Sequence, residues 1–341
     1  MLGQRAPGWR RPERATVDRD RREPGPGRTN GPACARGLAR YRARVTASAA
    51  FRPQPTALRA PVARRALVHG LVIGGLAFLV YTFAVAAPRT GTVGFDAFAY
   101  WDVQLPNPYV IPVGSLGAFT YSPPVALVSS LAGALPFWVF LWLWMAVLVA
   151  TAIFLGGRRA LLVLAFPPVA MELYHGNVHL LIAAAIVLGF RHPWTWSVVL
   201  LTKPTAGVGL LWFAARREWR SLAIALGFTA VIAGISLVVA PRMWLDWVDY
   251  LLANASAAPG GFWVPVPLWI RVPAAAALVI WGARTDRVWT VPVATTIALP
   301  MLWFAGFAVL AALVRLPTAD RLSRHVPDGA GGRLQPGPAA A

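Results

Sequence analysis

Between residues 66 and 316 the chain consists of long apolar runs separated by short polar or basic breaks, and the spacing of the breaks defines the elements. Residues 66–87 are almost uninterruptedly apolar, long enough at about 1.5 Å per residue to cross a hydrocarbon core of about 30 Å. Residues 88–121 carry Asp96, Asp102, several Pro and Gly and one basic residue, Arg89, so this stretch is predicted outside the lipid. Further crossings are predicted over residues 137–156, 160–174, 178–190, 222–240 and 262–282, with the polar turn His175-Gly176-Asn177 between the second and third and a loop over 241–261. Residues 125–135, after the turn Tyr121-Ser122-Pro123-Pro124, are too short to span and read as an interfacial or re-entrant helix. Residues 193–215 and 288–314 each lie between basic clusters, yet each has the length of a single span. Each therefore reads as two half-length helices, broken at Lys203-Pro204 and at Pro300. Such breaks are tolerated at membrane depth only where protein or a watery cavity satisfies the freed backbone. The pattern predicts an all-α, polytopic membrane bundle of about nine to eleven helical segments, with no fixed-period repeat.

Composition agrees with this picture and charge refines it. Of the 341 residues 57% are hydrophobic and only 13% charged, with mean hydropathy +0.56, which argues against a soluble globular enzyme. A net charge of +19 would by itself point to nucleic acid or an anionic membrane. Its distribution removes the nucleic-acid reading: residues 1–65 hold 16 of the 32 basic residues, all Arg. This segment mixes Arg with Pro, Gly and Ala without an apolar period and is expected to be a disordered tail, or the product of a start codon assigned too far upstream. Residues 317–341 are expected to be a second tail. With 16 arginines before the first crossing and one after it, the positive-inside rule places the N-terminus in the cytoplasm and residues 88–121 on the far side of the cell membrane. The one cysteine, Cys34, excludes an intrachain disulfide.

Ionisable residues inside or at the lip of an apolar body are costly and mark candidate chemistry. On the far face these are Asp96, Asp102, His175, His179, Arg242, Asp246, Asp249 and Arg271, with Glu172 and Lys203 nearer the interior. Asp96, flanked by aromatics in Gly94-Phe95-Asp96-Ala97-Phe98-Ala99-Tyr100-Trp101, reads either as a general base of raised pKa or as a helix cap or solvated loop acid. Asp102 is open to the same two readings. Lys203, the only lysine, either snorkels to an interface or meets an anion such as phosphate in a cavity. His175 and His179 lack a third convergent ligand and make a weak metal signal; sugar or phosphate contacts and a polar hairpin cap are equally open. The 16 tryptophans, among them Trp101, Trp244, Trp247, Trp263 and Trp303, fit an interfacial belt, and the same faces suit stacking on a sugar. No HExxH, cysteine cluster, phosphate-binding glycine loop or GxSxG occurs.

In order along the chain, Asp96 with Tyr100, Asn107-Pro108-Tyr109, Phe119-Thr120-Tyr121-Ser122-Pro123-Pro124, Gly176-Asn177 before an apolar helix, Leu201-Thr202-Lys203-Pro204 and Leu299-Pro300-Met301-Leu302-Trp303 resemble glycosyltransferase family 87. The resemblance covers roughly residues 66–316. It implies a GT-C fold and the activity of a polyprenyl-phosphate-mannose-dependent α-mannosyltransferase of the actinobacterial cell envelope. Asp96 is then the general base, Asp102 the second choice, and Tyr100, Tyr121, His175, Asn177, Lys203, Arg242 and Trp303 line the substrate site, Lys203, Arg242 or Arg271 facing the departing phosphate. It implies no cofactor and no metal: the polyprenyl-phosphate sugar is the donor substrate, and a cell-envelope glycolipid, lipoglycan or polysaccharide the acceptor. The body without its first tail is short for this family, and His179 stands where Asn is commoner. A flippase of lipid-linked sugar and an inactive paralogue are the alternative readings.

Overall fold

A computed structural model describes residues 60–254 and 264–316. Among them the chain is all-α, without a β-strand. Helix α1 (Ala60–Tyr81) continues through a π-helical turn, Thr82–Ala86, and a final turn, Ala87–Thr90. It begins before the predicted boundary, so residues 60–65 are helical and not part of a tail; the rest of the predicted tails, with Trp263, lies outside the described residues. Gly91, at φ 64°, ends this helix in the left-handed conformation that only glycine adopts freely.

Segment 88–121, predicted as a loop, contains the short helix α2 (Phe95–Trp101). Then follow α3 (Pro123–Ser129) with a 3-10 turn, Ser130–Ala134, and α4 (Phe137–Gly156) at its predicted place. The next pair of predicted crossings is cut finer, into α5 (Ala160–Leu164), α6 (Pro167–His175) and α7 (His179–Gly189). Both predicted breaks occur. α8 (Trp196–Thr202) stops at Lys203, a 3-10 stretch, Pro204–Leu210, follows, and α9 (Leu211–Ala215) completes the segment. After α10 (Trp219–Val239) the predicted loop is instead a helix, α11 (Pro241–Ala253); Pro241 starts it with the fixed φ and missing N–H that suit a first turn. α12 (Leu268–Arg284) carries Pro273 inside it. α13 (Thr290–Ile297) ends before Pro300, and a 3-10 helix, Phe304–Val314, closes the described chain.

Three helical stretches, Val62–Thr90, Phe137–Leu164 and Trp219–Val239, are long and apolar enough to cross a membrane; α6 and α7, bent by 116°, pass the same test as a pair. α4 and α10 are apolar around their circumference, and Trp142 is 71% and Val238 84% exposed, as lipid-facing side chains are. The chain is a membrane protein.

The interior consists of two apolar clusters. One gathers Tyr100, Tyr121, Ile182, Ile186, Trp196, Trp212, Phe213, Val279 and Val291. The other gathers Ala97, Leu141, Leu148, Leu155, Val169, Leu173, Leu180 and Ala308. α2 sends Ala97 into one and Tyr100 into the other, and α7 does the same with Leu180 and Ile182, so both elements lie on the seam. Close approach depends on glycine. A Cβ on Gly75 of α1 would stand 1.7 Å from the Ala165 carbonyl oxygen, and Cβ atoms on Gly189 and Gly209 would each collide with the buried Trp196 ring. At the basic end, Arg216 bonds Glu218 at 2.8 Å and also reaches Asp286, joining the turns at Arg217 and Asp286, two residues with positive φ.

Candidate active site

Gly94, at φ 76°, caps α2, and its N–H donates to Tyr174 O at 2.8 Å, fastening α2 to the end of α6. Asp96 therefore occupies the first turn without capping it, which disfavours the helix-cap reading. α6 ends at Gly176, φ 71°, where a Cβ would stand 2.7 Å from the Ala97 Cβ. No larger residue fits this junction of α2 with the α6–α7 turn. Trp144 closes it from α4, donating from Nε1 to Gly176 O at 2.7 Å.

Asn177, next in the turn, donates from Nδ2 to Asp96 Oδ2 at 2.7 Å. Its Oδ1 accepts Val178 N–H at 2.7 Å and the Tyr121 hydroxyl at 3.3 Å. Two donors on Oδ1 fix the orientation of the amide, so the NH2 faces the carboxylate. The Tyr121 hydroxyl, having donated, accepts from Tyr100 OH at 2.8 Å. Tyr109 OH donates to Tyr121 O at 2.9 Å, and Ser122 Oγ to Leu201 O at 2.6 Å, which ties the segment before α3 to the break at Lys203. Lys203 Nζ lies 5.2 Å from the Tyr121 ring centroid and within electrostatic reach of Asp96. Asp96 and Lys203 are both half-buried, each keeping some accessible surface.

Burial holds the Asp96 carboxyl above its ordinary range; the facing His175 and Lys203 charges and the Asn177 hydrogen bond pull it down, and Glu172 pushes it up. Burial likewise pushes the Tyr100 and Tyr121 hydroxyls above the ordinary tyrosine range, keeping both as neutral donors.

The other predicted residues are less central. Asp102, at the far end of α2, accepts from Gln104 Nε2 at 3.1 Å and shares no hydrogen bond with the cluster. His175, half-buried, bonds Met171 O through Nδ1 at 3.0 Å. Arg242 is exposed on the first turn of α11, with no hydrogen bond or ion pair to the cluster among the described residues. Trp303 is half-buried at the second break, its carbonyl accepting Gly306 N–H at 2.9 Å. Arg271, considered for the departing phosphate, is 6% exposed and gives four of its five N–H donors to carbonyls: Val266 O and Ile297 O at 2.7 Å, Leu299 O at 2.7 Å and Pro300 O at 2.9 Å. It satisfies the backbone freed by the break at Pro300, and Thr205 Oγ1 adds a bond to Ala298 O at 2.6 Å that joins the two breaks.

Sequence reasoning missed the pairing of Glu172 with His179. Glu172 is 0% and His179 2% exposed; Glu172 Oε1 accepts His179 N–H at 2.5 Å and Leu180 N–H at 3.2 Å, and Oε2 meets His179 Nδ1 at 2.8 Å. The available signal was a carboxylate seven residues before a helix start, across a Gly-Asn turn. His179 Nδ1 is thereby occupied, and its Nε2 is buried without a partner.

The sequence profile of glycosyltransferase family 87 matches residues 119–325, more than half of the chain. The chain belongs to glycosyltransferase family 87. It is a membrane glycosyltransferase, acting between a sugar donor and an acceptor. A search of curated proteins and a search of solved structures each found no match. The family 87 match takes in Tyr121, the Gly176-Asn177 turn, Lys203 and the break at Pro300. α2 with Asp96 precedes it and is joined to it by the Asn177–Asp96 and Gly94–Tyr174 bonds.

Proposed function

We propose that this glycosyltransferase moves a hexose, mannose first among the candidates, from a polyprenyl-phosphate sugar to a cell-envelope glycolipid or lipoglycan on the extracytoplasmic face, with inversion. The observation that carries the reading is the joining of Asp96, Asn177, Tyr121 and Lys203, from three separate stretches of sequence, within an apolar membrane protein.

Asp96 Oδ2 is held by Asn177, while Oδ1 makes no hydrogen bond among the described residues. Oδ1 takes the proton of the acceptor hydroxyl as that oxygen attacks the anomeric carbon. The bond from the anomeric carbon to the phosphate oxygen breaks, and its electron pair leaves on the polyprenyl phosphate. Lys203 places its positive charge where negative charge grows on that phosphate. Partial burial strengthens both terms, because an electrostatic interaction grows as water is removed. A raised Asp96 pKa makes the carboxylate a better proton acceptor once ionised. The Tyr121 hydroxyl holds the amide, and the Tyr100 hydroxyl holds that of Tyr121. The donor is lipid-linked, so the reaction calls on no cofactor.

Purified protein is tested with a radiolabelled polyprenyl-phosphate mannose and a detergent-solubilised lipid extract. Label appearing in a glycolipid that keeps its sugar in mild acid, which strips the sugar from the donor, supports the reading. Label that remains on the donor throughout, in folded protein, excludes mannose from this donor as the sugar transferred.

A further inference from the structure

Glu172 is tied to both ends of the turn that presents Asn177. Its backbone oxygen accepts Gly176 N–H at 2.8 Å and Asn177 N–H at 3.4 Å, closing α6. Its side chain crosses the same turn and caps α7 through His179 N–H and Leu180 N–H, while His179 Nδ1 holds the second carboxylate oxygen. The three residues Gly176-Asn177-Val178 are thus clamped from both sides by one buried residue. The clamp reaches Asp96 only through the Asn177 amide, since no hydrogen bond joins Glu172 to Asp96.

Paired with a carboxylate, His179 carries its proton on Nδ1. The Glu172 carboxylate stands at the start of α7, where it accepts two of the helix's free N–H groups. The ionisable groups facing Asp96 are His175 and Glu172 from α6 and Lys203 from the break after α8, with the Tyr100 and Tyr121 hydroxyls and the Asn177 amide beside them. Glu172 is the one anion in that set.

We propose that Glu172, steadied by His179, is the positioning residue for Asp96: it sets the Asn177 amide against the carboxylate and places a fixed negative charge behind the base. The inference rests on Asp96 being the general base. A nearby anion favours the protonated carboxyl, so removing the Glu172 charge lowers the pH at which Asp96 titrates, and removing the clamp lowers turnover.

Full-length Glu172→Gln and Glu172→Asp are compared with wild type and Asp96→Asn. The Asp96 carboxyl is titrated by infrared difference spectroscopy, its band assigned by its loss in Asp96→Asn, and sugar transfer from radiolabelled polyprenyl-phosphate mannose is measured across pH. Glu172→Gln is expected to lower the Asp96 midpoint by about one pH unit and kcat roughly tenfold at little-changed donor KM. Glu172→Asp keeps the charge but shortens the reach, so the Asn177 amide draws back from the carboxylate: kcat falls and the Asp96 midpoint rises. An unchanged midpoint and kcat in Glu172→Gln overturn the proposal. Should Glu172→Gln fail to accumulate, Glu172→Asp decides: wild-type kcat at an unmoved midpoint overturns it, and reduced kcat at a raised midpoint supports it. Undiminished transfer by Asp96→Asn would instead refute the base assignment, so the two failures are distinguishable.

Discussion

Asn177 donates its side-chain N–H to the Asp96 carboxylate at 2.7 Å across 81 residues of chain, and its carbonyl oxygen is held by two other donors, so the amide cannot turn away. A hydrogen bond to the charged form of an acid lowers its pKa. Asn177→Leu is therefore expected to raise the Asp96 pKa further. Transfer requires the ionised base, so the acidic limb of kcat/KM should move to higher pH, and kcat at neutral pH should fall on the order of tenfold. The pH–rate profile of the purified variant checks both.

The main features of this arrangement were legible in the sequence, and the rest was hidden for physical reasons. Apolar run lengths marked α4 and α10, and Lys203-Pro204 and Pro300 marked the breaks, because proline removes a donor and blocks helix continuation wherever it falls. Helix α11 was misread as a loop: its Asp246 and Asp249 alternate with Trp and Leu, a pattern that composition averages away. Asp96 and Asp102 could not be separated by type or by neighbours. They differ in which side of α2 they occupy and in which turn packs on that side. Arg271 was one of three cations offered for the phosphate, but the carbonyls freed by a helix break nearly 30 residues later claim it. Sequence order does not disclose such long-range commitments.

Arg271 accordingly supports the fold. Arg271→Met strands carbonyls of Val266, Ile297, Leu299 and Pro300 at the second break. The expected loss is about 3 kcal/mol, since hydrogen bonds to a charged group contribute about 1.5–3 kcal/mol each and some carbonyls recover water. Thermal unfolding in detergent should show a clearly lowered midpoint, with reduced yield.

Lys203 is expected to act on the phosphate. Lys203→Met removes the cation beside the Tyr121 ring and should lower kcat/KM for the lipid-linked donor about a hundredfold or more, while the protein still inserts and accumulates. Steady-state kinetics with varied donor, together with size-exclusion behaviour, test this.

Gly176→Ala tests the junction by itself. The backbone there is left-handed, and the new Cβ would meet Ala97 at 2.7 Å, so α2 must shift and carry Asp96 away from Asn177. Activity should fall more than tenfold. Ala97→Gly in the same chain should recover part of it, which a merely unfolded variant would not do.

The most direct test of the account is sugar transfer by Asp96→Asn. The substitution keeps the shape of the side chain and removes the base, so transfer from a polyprenyl-phosphate sugar should fall by at least about a hundredfold at every pH. The buried carboxylate has a raised pKa, so its contribution to stability is greatest when protonated and is lost as pH rises through that pKa. At neutral pH the neutral Asn should leave the thermal midpoint equal to wild type or higher. A folded Asp96→Asn protein that transfers sugar within a fewfold of the wild-type rate would contradict the account.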